Sequence, residues 1–244
     1  FGKASYTYNN RYTIDASLRA DASSRFGVNN RWGYFPSGGI TWRASQESFI
    51  QQTGLFDELK LRASIGLSGT QNGIGAYAAQ GLWSAGYNYL DNPGTAPTQL
   101  ANPDLTWETT RQFDLGLEFA VLKNRLSVIV DYYNKYTYDL LLNVPVPYRS
   151  GFASYLQNYG AVRNKGIEVT LHSVNVDQGD FKWTSDFNVA WNKNRIEKLA
   201  SDIALGASGR NISILRQGYA VNSFQLYKQL YVDPQTGNAV YEDV

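Results

Sequence analysis

His172 is the one histidine among 244 residues, and the chain has no cysteine. Nucleophilic or metal chemistry resting on such side chains would have to pass through it. A Ser-His-Asp arrangement needs a serine on a strand-to-helix elbow and amide donors for the oxyanion. No such elbow flanks His172, whose neighbours Leu171 and Ser173 read as strand, so a structural histidine on a polar strand face is expected. One imidazole without thiolates does not furnish the usual zinc set. Two carboxylate pairs, Asp57-Glu58 and Glu242-Asp243, have the residue types for glycoside hydrolysis. Adjacent strand positions point to opposite faces, however, and both pairs lie in turn-like sequence, so solvated turn residues are expected. Gly73-Ile74-Gly75 lacks the third glycine, the following helix and the lysine of a phosphate loop. The expectation is therefore a protein that is not an enzyme, with no cofactor, no metal and no catalytic residue.

Binding is better supported than catalysis. Trp83, Tyr87, Tyr89 and Asn92 put aromatic faces beside an amide within one polar stretch, and Tyr148, Phe152, Tyr155 and Tyr159 form a second group. Such surfaces stack on sugar rings and hydrogen-bond hydroxyls or peptide groups. Packing of these rings within their own loops, or against a partner protein, is the competing expectation.

What must position these groups follows from composition and period. The net charge is +1, which leaves no basic excess to neutralise phosphates and excludes a nucleic-acid partner. Charged residues make up 18%, below the roughly 25% usual for soluble domains, while aromatics reach 14%, led by 18 tyrosines. No apolar run approaches the ~20 residues of a membrane-spanning helix. The absence of methionine leads us to expect a piece of a longer chain, with any signal peptide outside it, because Phe1 to Asn10 show no charged and apolar leader pattern.

Strict apolar–polar alternation marks strands. Residues 12–20 and 59–67 alternate without error, and 113–121, 126–132, 167–172 and 183–191 nearly so; a further strand is expected over 34–43. At 43% apolar content, a strict nine-residue match arises by chance in about 0.2% of windows, roughly 0.4 along such a chain. One face would carry Asp15, Arg19, Lys60, Arg62, Asp114, Glu118, Asp131 and Asp186. The other would carry Ile14, Leu18, Leu61, Ile65, Leu115, Leu117, Val128 and Val130. The segments have the roughly 9–11 residues of a tilted membrane strand. A soluble sandwich buries the apolar face, whereas a membrane barrel turns it to lipid and lines its lumen with the polar one. Alternation alone does not separate the two.

Connections do. Leu122 to Arg125 and Val176 to Asp180 read as tight turns, while 70–110, 136–165 and 193–222 are long; residues 44–58 form a medium connection that must lie on the short side. Outer-membrane barrels show this asymmetry, with short periplasmic turns and long extracellular loops. Tyr6, Tyr8, Tyr12, Tyr34, Phe35, Tyr132, Tyr133, Tyr136 and Tyr138 gather near strand ends, as the aromatic girdles of barrels do.

Several segments carry a family resemblance. Asn102-Pro103-Asp104-Leu105-Thr106-Trp107-Glu108-Thr109-Thr110 resembles the NPDLxWETT segment of SusC/RagA-family TonB-dependent receptors. Asp131 to Lys135, Asp139 to Pro147 and Ser150-Gly151-Phe152 are similar to that family's DYYNK, DLLLNVPVP and SGF stretches, and Asn158 to Glu168 to its NxGxVRNKGIE stretch. Leu18 to Gly27 and Asn29 to Ser37 resemble LRADGSSRFG and NNRWGYFPS, with Ala22 standing where glycine is expected.

The resemblance implies an all-β fold, an antiparallel transmembrane β-barrel segment with long extracellular loops. It would supply about seven strands of a 22-stranded barrel whose plug domain and TonB box lie outside the chain. Residues 1–244 would all belong to the barrel domain. The implied function is active import of oligosaccharides or oligopeptides across a bacterial outer membrane. The implied partners are a SusD-like surface lipoprotein acting as lid, the TonB–ExbB–ExbD complex acting through the plug, and outer-membrane lipids. In that setting the N-glycosylation pattern Asn211-Ile212-Ser213 is a coincidence. Two other readings stay open at this point. A water-soluble β-sandwich carbohydrate-binding module would hold Ile14, Leu18, Leu61, Ile65, Leu115 and Leu117 in one dry core, and a passive porin would need neither lid nor energy coupling.

Overall fold

The computed structural model describes residues 1–205 and 212–242, so Asn211 and Asp243, both singled out above, lie outside the described residues. In chain order the strands are β1 (Gly2–Tyr8), β2 (Tyr12–Ala22), β3 (Trp32–Trp42), β4 (Glu58–Thr70), β5 (Leu82–Ala85), β6 (Thr95–Gln99), β7 (Glu108–Val121) and β8 (Leu126–Tyr138). There follow β9 (Leu141–Pro145), β10 (Ser154–Asn158), β11 (Ala161–Gln178), β12 (Phe181–Lys198) and five short pieces between Ile203 and Tyr241. Among the described residues helix is confined to a 3-10 turn at Ala44–Gln46, the single turn Ser48–Gln51 and a second 3-10 turn at Tyr148–Ser150. Among the described residues no helix is long and apolar enough to cross a membrane.

Eight strands form one antiparallel sheet in the order β1-β2-β3-β4-β7-β8-β11-β12; the hairpins β5–β6 and β9–β10 are insertions into two of its connections. The six alternating segments fall inside these strands, and the strand expected over 34–43 is β3, which ends at Trp42. Alternation counted about seven, and the eighth is β1. There Asn9 and Asn10 both adopt positive φ, 48° and 55°, the conformation of a two-residue primed hairpin turn. What reads as one tyrosine-rich strand opening is therefore a hairpin.

Short connections (9–11, 43–57, 122–125 and 179–180) share one end of the sheet, and long ones (23–31, 71–107, 139–160) share the other. The medium connection falls on the short side, as expected. Glu47 fixes it there: Arg11 Nη1 donates to its Oε2 at 2.9 Å, Tyr12 Oη to its Oε1 at 2.5 Å, and Trp42 Nε1 to Oε1 at 3.3 Å. Asp57, read from sequence as a solvated turn residue, also accepts the amide of Asn124 at 2.8 Å and so ties this connection to the next turn.

Register settles the faces. Ile14, Ile40, Ala63, Leu115, Tyr132, Ile167 and Trp191 are successive cross-strand partners in one row. The next row toward the short end holds Trp42, Leu61, Leu117, Val130, Val169 and Val189. Among the described residues these side chains meet no second sheet: Ile14 is 58% exposed, Leu18 50% and Trp191 57%. A sandwich would have buried them, so the dry-core expectation of the soluble alternative is not met. The opposite face lines one concave groove that runs from Lys3 and Asp15 through Arg62 and Asp114 to Asn192.

The tightest apolar packing lies at the long-connection end, where Phe26, Phe35, Ile74, Ala78, Leu105 and Trp107 cluster. Strand alternation corrects two girdle expectations. Tyr34 stays on the outward phase while Phe35 turns inward under Trp107, 5.6 Å away edge-on. Tyr132 stays outward while Tyr133 turns into the groove.

Candidate functional site

The inward wall is assembled from the polar phase of the alternating strands. Lys60 Nζ lies 2.7 Å from Glu118 Oε2, and Arg62 reaches Glu118 at 3.1 Å and Asp131 at 2.6 Å. Arg62 (β4) and Asp131 (β8) are two strands apart, with Gly116 of β7 between them in register. A Cβ at Gly116 would stand 2.2 Å from Arg62 Nε, so only glycine lets the guanidinium cross. The same device recurs further along: Tyr133 lies across Gly166 of β11 and donates to Asn192 Oδ1 at 3.0 Å. Gln112 Nε2 and Ser64 Oγ both donate to Asp114, at 2.8 and 3.3 Å. The wall thus offers alternating donors and acceptors without a net field of one sign. That suits ligands rich in hydroxyls or amides more than an isolated ion.

His172 belongs to this wall. Its Nδ1 is 2.6 Å from Asp186 Oδ1, and register places Ser127 directly opposite on the other side. Three residue types of a hydrolytic triad therefore share one row, but no hydrogen bond joins Ser127 to the ring and the histidine–aspartate pair is open to solvent. The row has an oriented imidazole without an engaged nucleophile. Among the described residues no group of three or more His, Asp or Glu side chains is placed to hold a metal ion.

Above the wall stands the loop layer, and the 102–107 segment is its clamp. Asn102, 5% exposed, accepts the Asp104 amide on Oδ1 at 3.1 Å and donates Nδ2 to Leu156 O at 2.8 Å. Leu105 is fully buried and accepts the Gly27 amide at 3.1 Å. Trp107 packs on Phe26, 4.8 Å between ring centroids, and donates Nε1 to Arg31 O at 3.2 Å. Asn158 brackets Thr106, accepting its amide and donating to its carbonyl, both at 2.8 Å. Three long connections are joined here by one motif. Gly73-Ile74-Gly75 acts in the same layer, with Ile74 in the core and its carbonyl accepting from Arg25 Nη1 at 3.1 Å.

The ring-bearing candidates separate into two hairpins. Trp83, Tyr87 and Tyr89 are exposed on β5–β6, whose tip closes on the pair Tyr89–Asn92. Asn92 uses its side chain locally, Nδ2 donating to Leu90 O at 3.1 Å. Tyr148 is exposed at the 3-10 turn before β10, and Phe152 is half-buried after it. Tyr155 and Tyr159 are half-buried and partly engaged: Tyr155 Oη donates to Ala101 O at 3.4 Å, and Lys198 Nζ stands 4.3 Å over the Tyr159 ring. The two hairpins meet at their roots, through Asn102 and Tyr155. Phe26, Asn102, Leu105 and Asn158 stood out in the sequence only within family-like segments, with no role as a clamp assigned to them. The Asn-Pro dipeptide was the available signal, since asparagine side chains cap their own turns.

With this geometry in hand, likeness to known proteins is informative. The sequence profile of the family described as "TonB dependent receptor-like, beta-barrel" matches residues 1–240. The TonB-dependent receptor P39 of Formosa agariphila is 38% identical over 232 residues, which covers 95% of this chain and 22% of that protein. The TonB-dependent receptor SusC of Bacteroides thetaiotaomicron is 33% identical over 249 residues, covering 95% and 25%. Among solved structures, the RagAB peptide importer in its "open-open" state superposes with a TM-score of 0.88 at 33% identity, covering 98% of this chain and 26% of that one. The chain spans about a quarter of the length of the proteins it matches.

Proposed function

The chain belongs to the TonB-dependent receptor β-barrel family, and on that premise we propose that it forms wall and extracellular gate of an active nutrient importer in a bacterial outer membrane. The observation that carries this is the two-faced sheet, with an apolar face whose side chains stay largely exposed among the described residues and a hydrogen-bonding wall behind it. In a membrane barrel these faces meet lipid and lumen respectively. Oligosaccharides or oligopeptides are the substrate classes proposed, since the wall and the exposed rings of Trp83, Tyr87, Tyr89 and Tyr148 present stacking faces and paired hydrogen-bond groups rather than a charged pocket. Asn92, Phe152, Tyr155 and Tyr159 support those rings.

A SusD-like surface lipoprotein would close over the long-connection end, and a TonB–ExbB–ExbD complex would supply the energy through a plug. The names of the RagAB importer and of SusC are what favour those partners. The proposal includes no catalytic step. Uptake of labelled oligosaccharides and oligopeptides by cells with and without the full-length protein tests it. One substrate class should accumulate only when the protein and the proton gradient are both present. Uptake indifferent to a protonophore would make the protein a passive pore, and recovery of the protein in the aqueous fraction without detergent would return it to the soluble binding modules.

A further inference from the structure

The outward face is not apolar to its upper limit. Next to Tyr132, Ile167 and Trp191, the following row on the long-connection side reads Phe113, Asn134, Lys165, Lys193, and the row after it Arg111, Tyr136, Arg163, Arg195. Lys165 faces Lys193 directly across β11 and β12, and Arg163 faces Arg195. Two like-charged pairs in consecutive same-face rows oppose folding, because directly opposed side chains stand about 5 Å apart. One carboxylate relieves them: Glu197, at a register irregularity, takes Arg163 Nε at 3.1 Å. Among the described residues the side chains of Lys165, Lys193 and Arg195 have no hydrogen bond or ion pair, and all three residues are exposed. Arg163 and Arg111 flank the Tyr136 ring, at 4.7 and 6.0 Å from its centroid.

Charge of one sign, gathered where an apolar band ends and held against mutual repulsion, fits an anion that is itself attached to something apolar. We propose that Arg111, Arg163, Lys165, Lys193 and Arg195 form a binding site for the phosphate of a lipid headgroup in the leaflet facing the long connections. The inference rests on the membrane-barrel reading, which supplies the lipid. The acyl chains would lie along Ile167, Val189 and Trp191, in the same strands just below the cations. Ammonium and guanidinium groups would share the phosphate oxygens, the guanidiniums through paired N–H donors. Near a charged lipid surface each cation adds about a factor of five in affinity.

The test uses the full-length protein in detergent, and native mass spectrometry to count bound lipid. The probes are dioleoyl phosphatidic acid and dioleoylglycerol, which share their tails and differ by the phosphate. Wild type should retain phosphatidic acid at least tenfold more tightly than the combined K165Q, K193Q, R195Q variant, with dioleoylglycerol retained equally weakly by both. Gel migration of unheated samples checks that the variant is folded, and K123Q in a short turn controls for charge removal elsewhere. Equal retention of phosphatidic acid by wild type and variant overturns the proposal. So does displacement by millimolar inorganic phosphate, which would make this a free-anion site. A protein that stays in solution without detergent would instead overturn the barrel reading, a separate outcome.

Discussion

The two ends of the sheet solve the same problem differently. At the short end, strands reverse through two to four residues and the one medium connection is held by the polar anchor Glu47, which receives Arg11, Tyr12 and Trp42. At the long end, three connections share a packed cluster around Leu105 and Trp107, with side-chain amides of Asn102 and Asn158 sealing backbone groups. A short turn needs no core, since its backbone groups are satisfied within the hairpin or by water. A long segment must offset the entropy of ordering many residues, and only buried apolar area is large enough to do so. Between the two ends, the rows around Ile14 and Trp191 on the outward face stay largely exposed among the described residues, as a surface whose solvent is lipid would.

The largest effect should come from breaking the long end. Trp107→Ala removes a buried ring from the cluster and should cost about 3–5 kcal/mol of local stability. Hydrogen exchange should rise across 23–31, 71–107 and 139–160 while β8 and β11 stay protected. Loss of protection throughout the sheet would mean that the two regions are one cooperative unit. Next in size, Leu115→Arg on the outward face should destabilise the barrel in bilayers by about 2–4 kcal/mol, the range for arginine facing mid-bilayer. Ser64→Arg, on the neighbouring strand opposite Asp114 and facing the groove, should cost well under that when both variants are unfolded in urea. Equal costs would contradict the division of faces.

A smaller effect is expected on the wall. Gly116→Ala places a Cβ where Arg62 crosses, so the Arg62–Asp131 contact opens. Both partners are partly exposed, which limits the loss to about 1 kcal/mol; the sharper readout is substrate affinity, which should shift while the loops keep their protection. The smallest effect concerns the short end. The Tyr12 hydroxyl bonded to Glu47 holds that carboxyl below its ordinary 4.5, with Trp42 and Arg11 adding to the effect against the opposing cost of burial. Because the folded value lies below the unfolded one, the anchor is at full strength above about pH 4.5 and is lost as pH falls through the folded value. Amide exchange in 43–57 should increase over that acidic window, and Glu47→Gln should abolish the pH dependence. An unchanged profile in the Gln variant would assign it to another group.

Much of this was legible in the chain itself. Alternation in 12–20 and 59–67 gave strand identity and both faces, because with a period of two successive side chains point to opposite sides and alternate ones share a side. The lengths of 122–125 and 71–107 gave the asymmetry of the two ends, and motif resemblance gave the family. The hairpin at Asn9-Asn10 was hidden because tyrosines on either side kept the alternating phase. The inward turn of Phe35 and Tyr133 was written in that same phase, yet clustering by composition obscured it. What the sequence could not decide is which distant groups meet. Arg62 reaching Asp131 across Gly116, Asn158 bracketing Thr106, and Lys165 opposing Lys193 all depend on strand order and stagger. Those are set by the sum of many backbone pairings, and no local pattern encodes them.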